Sequence, residues 1–367
     1  MHLLQPEADI HLNHLMQNYL TIKKMVGAAK VMAVVKANAY GHGAVPIAHV
    51  LSDVGVSGFC VALAKEAEEL IAADISEPIL HLGRISASSI DLYQYGQVRC
   101  SINSVEDINI LEEYGSEKAP FIAHLKIDTG MGRLGIKMDN DYSILQKLAE
   151  SKSIRVEAVY SHFATADEND TQYRDWQLDQ FRKVIKLAND ILPDTNYFHI
   201  ANSAGILNCP ESHFNMVRPG ISLYGVSPMG MPHNKLKPVM KMKAPVILVK
   251  KMKAGDSVGY NRLYIAKKNE TIAILQAGYA DGIPTDFSNS GGVELNGCIY
   301  PIIGKVSMDL IAINCGEDTI NEGDEAVVWG GDHENNQLEY ISKKYSKIPY
   351  EFLTGLSSRV KRNLINE

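Results

Sequence analysis

The stretch Val31-Met-Ala-Val-Val-Lys-Ala-Asn-Ala-Tyr-Gly-His-Gly43 contains the pattern that decides the fold. Five apolar residues, three of them β-branched, run directly into Lys36 and then into a segment that contains two glycines. A short, unbroken apolar run of this kind is typical of a strand whose two faces are both buried, as in a parallel sheet. The stretch therefore predicts a buried strand over 31–35 that ends at a lysine.

Similar runs recur along the chain, and longer amphipathic segments such as 66–73, 104–114 and 174–192 separate them and predict helices. The further runs are 58–61, 78–82, 98–102, 121–125, 156–160, 197–200 and 214–217. Eight strands that alternate with helices predict a (β/α)8 TIM barrel.

The pattern changes after about residue 225, where 227–233 reads as a linker. Closely spaced strands are predicted beyond it at 244–250, 271–276, 292–295 and 298–303, with Asn296-Gly297 as a hairpin turn and a final helix over 350–363. We therefore expect an α/β barrel domain over 1–228 and a C-terminal β-rich domain over 229–367.

Composition excludes several classes of protein. The net charge of −7 and the pI near 6.0 give no field that would attract nucleic acid or an anionic membrane. The five cysteines lie far apart, without the spacing of a disulfide framework or a metal site. No segment has the pattern of a signal peptide or a membrane span. The chain is expected to be soluble and cytoplasmic, without a bound metal.

Polar side chains follow several of the predicted barrel strands, at the edge where barrel enzymes build their sites. Lys36 follows directly on five apolar residues, and partial desolvation would make its amine nucleophilic, as a Schiff-base lysine requires. The alternative is an ordinary lysine that reaches solvent from a strand end. His162, Ser203 and Arg218 follow the sixth, seventh and eighth runs. Ser203 and the backbone of Gly220-Ile221 suit a phosphate group.

Nine segments in order along the chain resemble bacterial alanine racemase, a family that uses pyridoxal 5′-phosphate. They are AVVKANAYGHG (33–43), HLKIDTGMGRLGI (124–136), SHFATADE (161–168), NSAG (202–205), RPGISLYG (218–225), VGYN (258–261), GYADG (278–282), VSMD (306–309) and IPYEFLTGLSSRV (348–360). The first and fifth are the most specific. The resemblance spans nearly the whole chain and implies the barrel and β-domain architecture that the strand pattern also predicts.

The resemblance also implies roles for individual residues. Lys36 would bond to the cofactor and transfer a proton on one face of the substrate, and Tyr260 of the partner subunit would serve the other face. His162 would lie against the pyridine ring, with Arg218 at its nitrogen. The phosphate-binding set would be Tyr40, Ser203, Gly220, Ile221 and Tyr350.

The segment 130–135 spells GxGxxG, a pattern found in dinucleotide-binding turns. It follows the fifth predicted strand rather than the first, so an NAD-dependent oxidoreductase is not favoured. By resemblance, Arg133 would bind the substrate carboxylate together with the backbone N–H of Met308 from the partner. Lys126 matches a lysine that is carbamylated in many members of the family. An unmodified Lys126 beside a chloride ion, or one paired with Asp128, remains an alternative.

The function implied is interconversion of L-alanine and D-alanine by two bases in a homodimer with shared sites, supplying D-alanine for peptidoglycan. The chain departs from the common family pattern at Lys305 and Ser307, which carry no proton-transfer role. Tyr350 leaves little room beside a methyl group and favours alanine over serine. A racemase that prefers serine, a noncatalytic cofactor-binding barrel and an amino-acid decarboxylase remain as alternatives.

Overall fold

A computed structural model describes residues 5–138 and 142–366. The chain divides into two compact units. One, called here the barrel unit, comprises Asn18–Leu223; the other, the C-terminal unit, comprises Met1–Gln17 together with Tyr224–Glu367. Residue 1, the predicted start of the barrel domain, and residue 367, the predicted end of the C-terminal domain, lie outside the described residues.

The bounds of the regular elements follow in chain order. The strands are β1 Glu7–His11, β2 Lys30–Val34, β3 Gly58–Val61, β4 Ile79–His81, β5 Val98–Ile102, β6 Phe121–Lys126, β7 Ile154–Tyr160, β8 Tyr197–His199, β9 Met216–Val217, β10 Met240–Met252, β11 Ser257–Val258, β12 Tyr264–Ile265, β13 Glu270–Leu275, β14 Gly292–Leu295, β15 Cys298–Ile303, β16 Ile311–Gly316, β17 Glu325–Trp329 and β18 Lys361–Ile365. The helices are α1 Leu12–Val26, α2 Lys36–Tyr40, α3 Ala44–Asp53, α4 Ala64–Ala72, α5 Val105–Tyr114, α6 Ser143–Glu150, α7 Gln172–Ile191, α8 Ser203–Asn208, α9 Leu338–Lys344 and α10 Pro349–Thr354. Short 3₁₀ turns occupy Ala87–Tyr93, Pro210–Ser212, Ile221–Tyr224, Tyr260–Arg262, Tyr279–Asp281, Thr285–Phe287 and Glu334–Asn336.

Eight parallel strands form the barrel, and all eight predicted runs are confirmed as its strands. The strands β2 to β8 pair in chain order, and β9 pairs with β2. Between β8 and β9 the ring is joined by hydrogen bonds from Arg218 N to Ala201 O, at 2.9 Å, and from Phe198 N to Asn215 Oδ1, at 2.7 Å. The β3 and β4 strands are buried at every residue, because side chains fill the inside of the ring and helices cover the outside.

The C-terminal unit contains an eight-stranded sheet in the order β13-β16-β15-β14-β17-β10-β1-β18. An additional β13–β10 pairing closes six of these strands into a ring. The four strands predicted after residue 229 are confirmed as β10, β13, β14 and β15. The expectation of a β-rich C-terminal domain is therefore correct.

Two features of the C-terminal unit differ from the predictions. The strand β1, from the extreme N-terminal part of the chain, pairs antiparallel with β10 and parallel with β18, so it belongs to this sheet rather than to the barrel. The predicted helix 350–363 is wrong in its second half, because α10 ends at Thr354 and 361–365 form β18. Asn363 Nδ2 donates to Glu7 Oε2 at 2.7 Å. Because Glu7 and Asn363 are so far apart in sequence, no local sequence pattern indicates that their strands pair.

Among the described residues, none of the helices combines the length and the apolar character that a bilayer crossing demands.

Candidate active site

Lys36 begins a short turn with an unusual backbone conformation. One residue separates it from the end of β2, and residues 37–40 all have positive φ, between 51° and 54°. Non-glycine residues in this left-handed region cost about 1–2 kcal/mol each. Four in succession persist only where surrounding contacts determine them. The turn therefore places Lys36 at the carboxyl end of the barrel at the expense of backbone strain.

Two side chains hold the strained turn. The Glu66 carboxylate accepts hydrogen bonds from Ala37 N at 2.6 Å and from Ala62 N at 2.8 Å, so it connects the turn to the end of β3. Asn38 Oδ1 accepts from Ala44 N at 2.8 Å and connects the turn to the start of α3. Neither Glu66 nor Asn38 was identified from the sequence as part of the site.

The amine of Lys36 has a lowered pKa. Burial is the main cause, and the positive charge of Arg133 adds to it, while the Glu66 carboxylate acts in the opposite direction. A lowered pKa increases the fraction of neutral amine, which is the nucleophilic form. The structure thus supplies the desolvation that the sequence predicts for this lysine.

A cluster of hydroxyl and backbone N–H groups lies at the ends of β8 and β9. Ser203 Oγ accepts from Gly220 N at 2.9 Å and from Ser222 N at 3.2 Å, and Ser222 Oγ donates to it at 3.0 Å. A Cβ at Gly220 would lie 2.5 Å from Tyr40 Oη, so any larger residue there would displace the Tyr40 hydroxyl. Ile221 is fully buried. The cluster brings together four residues predicted to bind phosphate and adds Ser222, which was missed.

Arg218 is buried beside this cluster, and most of its donors are engaged. Its Nη2 donates to Ser161 O at 2.7 Å and lies 3.4 Å from His162 Nδ1. Its Nη1 donates to His199 O at 3.1 Å and also contacts His199 Nδ1. The guanidinium lies over the ring of Tyr160, at 5.0 Å from its centroid. The Nε atom makes none of these contacts.

His162 is half-buried and carries no charge near neutral pH. Burial first, then the positive charges of Arg218, Arg133 and Lys126, hold its pKa well below the usual range. A neutral imidazole offers a flat ring face beside Arg218 without adding another cation to the site.

Arg218 also begins a row of buried polar side chains that the sequence analysis did not single out. His199 Nε2 lies 3.1 Å from His124 Nδ1, and His124 Nε2 lies 3.2 Å from Glu157 Oε2. Arg99 binds the same carboxylate through two nitrogens, at 3.0 and 3.3 Å. The sequence gives only a partial signal, because polar residues interrupt the apolar strands, but Ser101, Lys126 and Arg155 do so as well and are not members of the row.

The GxGxxG segment forms a tight loop after β6. Asp128 Oδ1 accepts from Gly130 N and Gly132 N, both at 3.0 Å, and the chain folds back so that Ile136 N donates to Lys126 O. Gly132 therefore lies inside a loop rather than at the start of a helix, and the geometry of a dinucleotide-binding turn is absent from it.

Arg133 projects from this loop as an exposed residue. Its charge lowers the pKa of Lys36, Lys126 and His162, which places it among the same group of side chains. Lys126, at the end of β6, is buried, and its Nζ lies 5.6 Å from the Tyr160 ring centroid. Burial, then Arg218 and Arg133, lower the pKa of Lys126 to about 8, against an opposing effect of Asp128.

The remaining predicted residues, Tyr260, Met308 and Tyr350, belong to the C-terminal unit. Tyr260 begins a 3₁₀ turn after Gly259, whose φ is 70°. The exposed fractions are 68% for Tyr260 and 52% for Met308. Such exposure is unusual for a tyrosine and a methionine.

Comparisons with known proteins give a consistent result. Residues 10–228 match the family described as alanine racemase, N-terminal domain, and residues 239–364 match alanine racemase, C-terminal domain. The chain is 36% identical over 362 residues to the alanine racemase of Carboxydothermus hydrogenoformans, covering 97% of this chain and 98% of that protein. It is 36% identical over 361 residues to the alanine racemase of Aeromonas hydrophila, covering 96% and 97%.

Solved structures agree with the sequence matches. The crystal structure of alanine racemase from Streptomyces lavendulae superposes with a TM-score of 0.91 at 32% identity, covering 100% of this chain and 98% of that one. The crystal structure of the Bartonella henselae enzyme with covalently bound pyridoxal phosphate gives a TM-score of 0.87 at 32% identity, covering 98% and 99%.

Proposed function

The chain belongs to the alanine racemase family, and from this premise we propose how its own residues interconvert L-alanine and D-alanine. The family is one of pyridoxal-phosphate-dependent isomerases. The observation that carries the proposal is the meeting of Lys36, Arg218 and the Ser203 cluster within one barrel unit.

The residues present fit the cofactor. The Gly220 and Ser222 N–H groups and the Ser222 hydroxyl donate to Ser203 Oγ in this structure, and the same cluster of donors would suit a phosphate dianion. We assign the phosphate to Tyr40, Ser203, the backbone N–H groups of Gly220 and Ile221, and Tyr350. When bound, the cofactor withdraws electrons from the substrate Cα and makes its proton removable.

We assign binding of the rest of the cofactor to three residues. Lys36 would hold its aldehyde carbon, because a neutral amine is the form that attacks a carbonyl. The ring of His162 would lie against the pyridine. Arg218 would offer Nε–H to the pyridine nitrogen, since its other donors are held by Ser161 and His199. A guanidinium does not give up its proton to the ring.

Racemisation requires one group on each face of Cα, because the proton removed from one face must be replaced on the other. The amine of Lys36 would hold or accept the proton on one face. The phenol of Tyr260 serves the other. Arg133 binds the substrate carboxylate, with the backbone N–H of Met308 as a second donor.

Lys126 is assigned a positioning role. As a carbamate it would be an anion that fixes Arg133, and its lowered pKa favours the neutral amine that forms a carbamate. An unmodified Lys126 with a chloride ion would supply the same negative charge.

Tyr260 and Met308 are proposed to act in the partner subunit of a head-to-tail homodimer. Their exposure supports this assignment, because both side chains are available to a second copy of the chain. In the cell we propose a cytoplasmic enzyme that supplies D-alanine for peptidoglycan.

The experiment that tests the proposal follows the Cα proton of L-alanine by NMR in deuterated buffer, with D-alanine assayed in the same tube. Wild-type protein is expected to exchange the proton and form D-alanine. Lys36→Ala should abolish both processes, and Tyr260→Phe should slow D-alanine formation at least ~100-fold, as loss of a general acid–base group does. Formation of D-alanine by Lys36→Ala at the wild-type rate would refute the assignment.

A further inference from the structure

A continuous row of polar side chains crosses the barrel interior behind Arg218. It consists of Arg218, His199, His124, Glu157 and Arg99 and is called here the histidine row. His199 and His124 are fully buried or nearly so, and Arg218 is 3% exposed. The Glu157 and Arg99 side chains are 17% and 15% exposed, so the row runs from the buried site toward the surface. Polar groups so deeply buried must be paired.

Hydrogen-bond chemistry sets a single direction along the row. The guanidinium of Arg218 can only donate, so His199 Nδ1 must accept from it. The proton of His199 is then on Nε2, which donates to His124 Nδ1. His124 in turn carries its proton on Nε2 and donates to Glu157 Oε2. From Arg218 to Glu157, every donor therefore points away from Arg218, and both rings are neutral; Arg99 donates to Glu157 from the other side.

The charges along the row agree with this direction. Burial and the positive charge of Arg218 lower the pKa of His199 well below its usual range, and burial is also the main cause of the lowered pKa of His124. Burial alone would raise the pKa of Glu157, but hydrogen bonds from His124 and Arg99 lower it to about 2. Glu157 is therefore held as a carboxylate, which accepts hydrogen bonds from both His124 and Arg99.

We propose that Glu157, held by Arg99, is a positioning residue that fixes the tautomers of His124 and His199 and thereby aims Arg218 at the pyridine nitrogen of the cofactor. This inference rests on the proposed placement of the cofactor against Arg218. Glu157 itself lies three hydrogen bonds from the guanidinium. Glu157 keeps a hydrogen-bond acceptor beside His124 Nε2, because only then does His199 present the lone pair of Nδ1 to Arg218.

Removal of the acceptor makes the opposite tautomers accessible. With Glu157→Leu, the Nε2–H of His124 is buried without a partner, which is costly. The ring avoids this cost by moving its proton to Nδ1, where it donates to His199 Nε2. His199 then carries its proton on Nδ1, facing the donors of Arg218. The guanidinium loses one acceptor and is displaced from its position.

The test compares Glu157→Leu with Glu157→Gln, whose amide oxygen still accepts from His124. The protein is labelled with ¹⁵N at histidine, and the His199 and His124 ring signals are assigned through His199→Asn and His124→Asn. His81→Leu is the matched control. His81 is buried on β4 with partners Tyr93 and Ala62, outside the row, so its loss costs stability without altering the row.

In wild type and Glu157→Gln, His199 Nδ1 is expected to have the shift of an unprotonated nitrogen. In Glu157→Leu it should move toward the protonated value, although the substitution lies two hydrogen bonds away. The dissociation constant of pyridoxal phosphate should rise about tenfold in Glu157→Leu and less than about threefold in Glu157→Gln and His81→Leu, as loss of one charge-assisted hydrogen bond predicts. The visible absorption band of the bound cofactor should shift only in Glu157→Leu.

An unchanged His199 signal in Glu157→Leu would overturn the proposal. So would a changed signal with wild-type affinity and absorption, because the row would then not reach the cofactor. Failure of the proposed function would look different, since the wild-type protein itself would not bind pyridoxal phosphate at Lys36.

Discussion

At the scale of the residue, the site combines several cations with few anions. Burial is the main cause of the lowered pKa of Lys36 and of Lys126; the charge of Arg133 lowers both values further, and that of Arg218 lowers the pKa of Lys126. Ammonium groups respond to this environment by releasing a proton, whereas the guanidinium groups stay charged. The two lysines are therefore the proposed reactive members of the group, and the two arginines are proposed to bind the substrate carboxylate and the pyridine nitrogen.

The first prediction concerns Lys126, whose pKa of about 8 sets a pH dependence. The neutral amine attacks CO₂, an N–C bond forms and one proton is released to solvent. Because the ammonium form predominates below the pKa, the carbamate should increase as pH rises through about 8 at a fixed concentration of dissolved CO₂. Carbon NMR with ¹³CO₂ measures its occupancy.

Lys126→Met provides the control and should lack the carbamate signal. A signal of equal size in the variant would place the carbamate elsewhere. Loss of the wild-type signal on addition of chloride, without loss of activity, would favour a bound chloride as the anion beside Arg133.

At the scale of the element, the site depends on how β2 ends. The chain leaves this strand through a left-handed turn, which is held by Glu66 and by Asn38. Strain of this kind at a site keeps a reactive group in one position. Lys36 is thus fixed by its backbone as well as by its side-chain environment.

Ala37→Gly tests the strain. Ala37 is exposed and has a φ of 51°, which glycine adopts without steric cost. Relief of the backbone strain offsets the greater conformational entropy that glycine gives the unfolded chain. The free energy of unfolding should therefore stay equal or rise by up to about 1 kcal/mol. Chemical denaturation measures it. Ala33→Gly, in the buried β2 strand, should instead destabilise by about 1 kcal/mol. Equal losses at both positions would argue against strain at Ala37.

The elements also differ in how far the sequence could predict them. The eight barrel strands were predictable because each is a short, mainly apolar run between amphipathic segments, a signal that is local. The strands β1 and β18 were not, because they pair with each other from opposite ends of the chain and β1 also pairs with the distant β10. Lys36, Ser203 and Arg218 could be selected by their place at strand ends. The histidine row could not be selected, because its members are brought together by the order and register of the strands, which are properties of the tertiary structure.

For the molecule as a whole, the proposed shared site requires two copies of the chain. The barrel unit supplies Lys36, and the proposal takes Tyr260 from the partner subunit. A shared site of this kind ties activity to association, so dissociation of the dimer should remove it. The exposure of Tyr260 and Met308 in a single chain agrees with a surface that a partner covers.

Mixing of two inactive variants tests this claim most directly. Lys36→Ala and Tyr260→Phe proteins are dissociated, combined in equal amounts and reassociated, and D-alanine formation is then measured. Random pairing makes half of the dimers mixed, and each mixed dimer contains one site with both bases intact. If the sites are shared between subunits, about one quarter of the wild-type rate should return, from statistical pairing in a two-fold symmetric dimer. A mixture no more active than its two components would contradict the claim, because each site would then draw both bases from one chain.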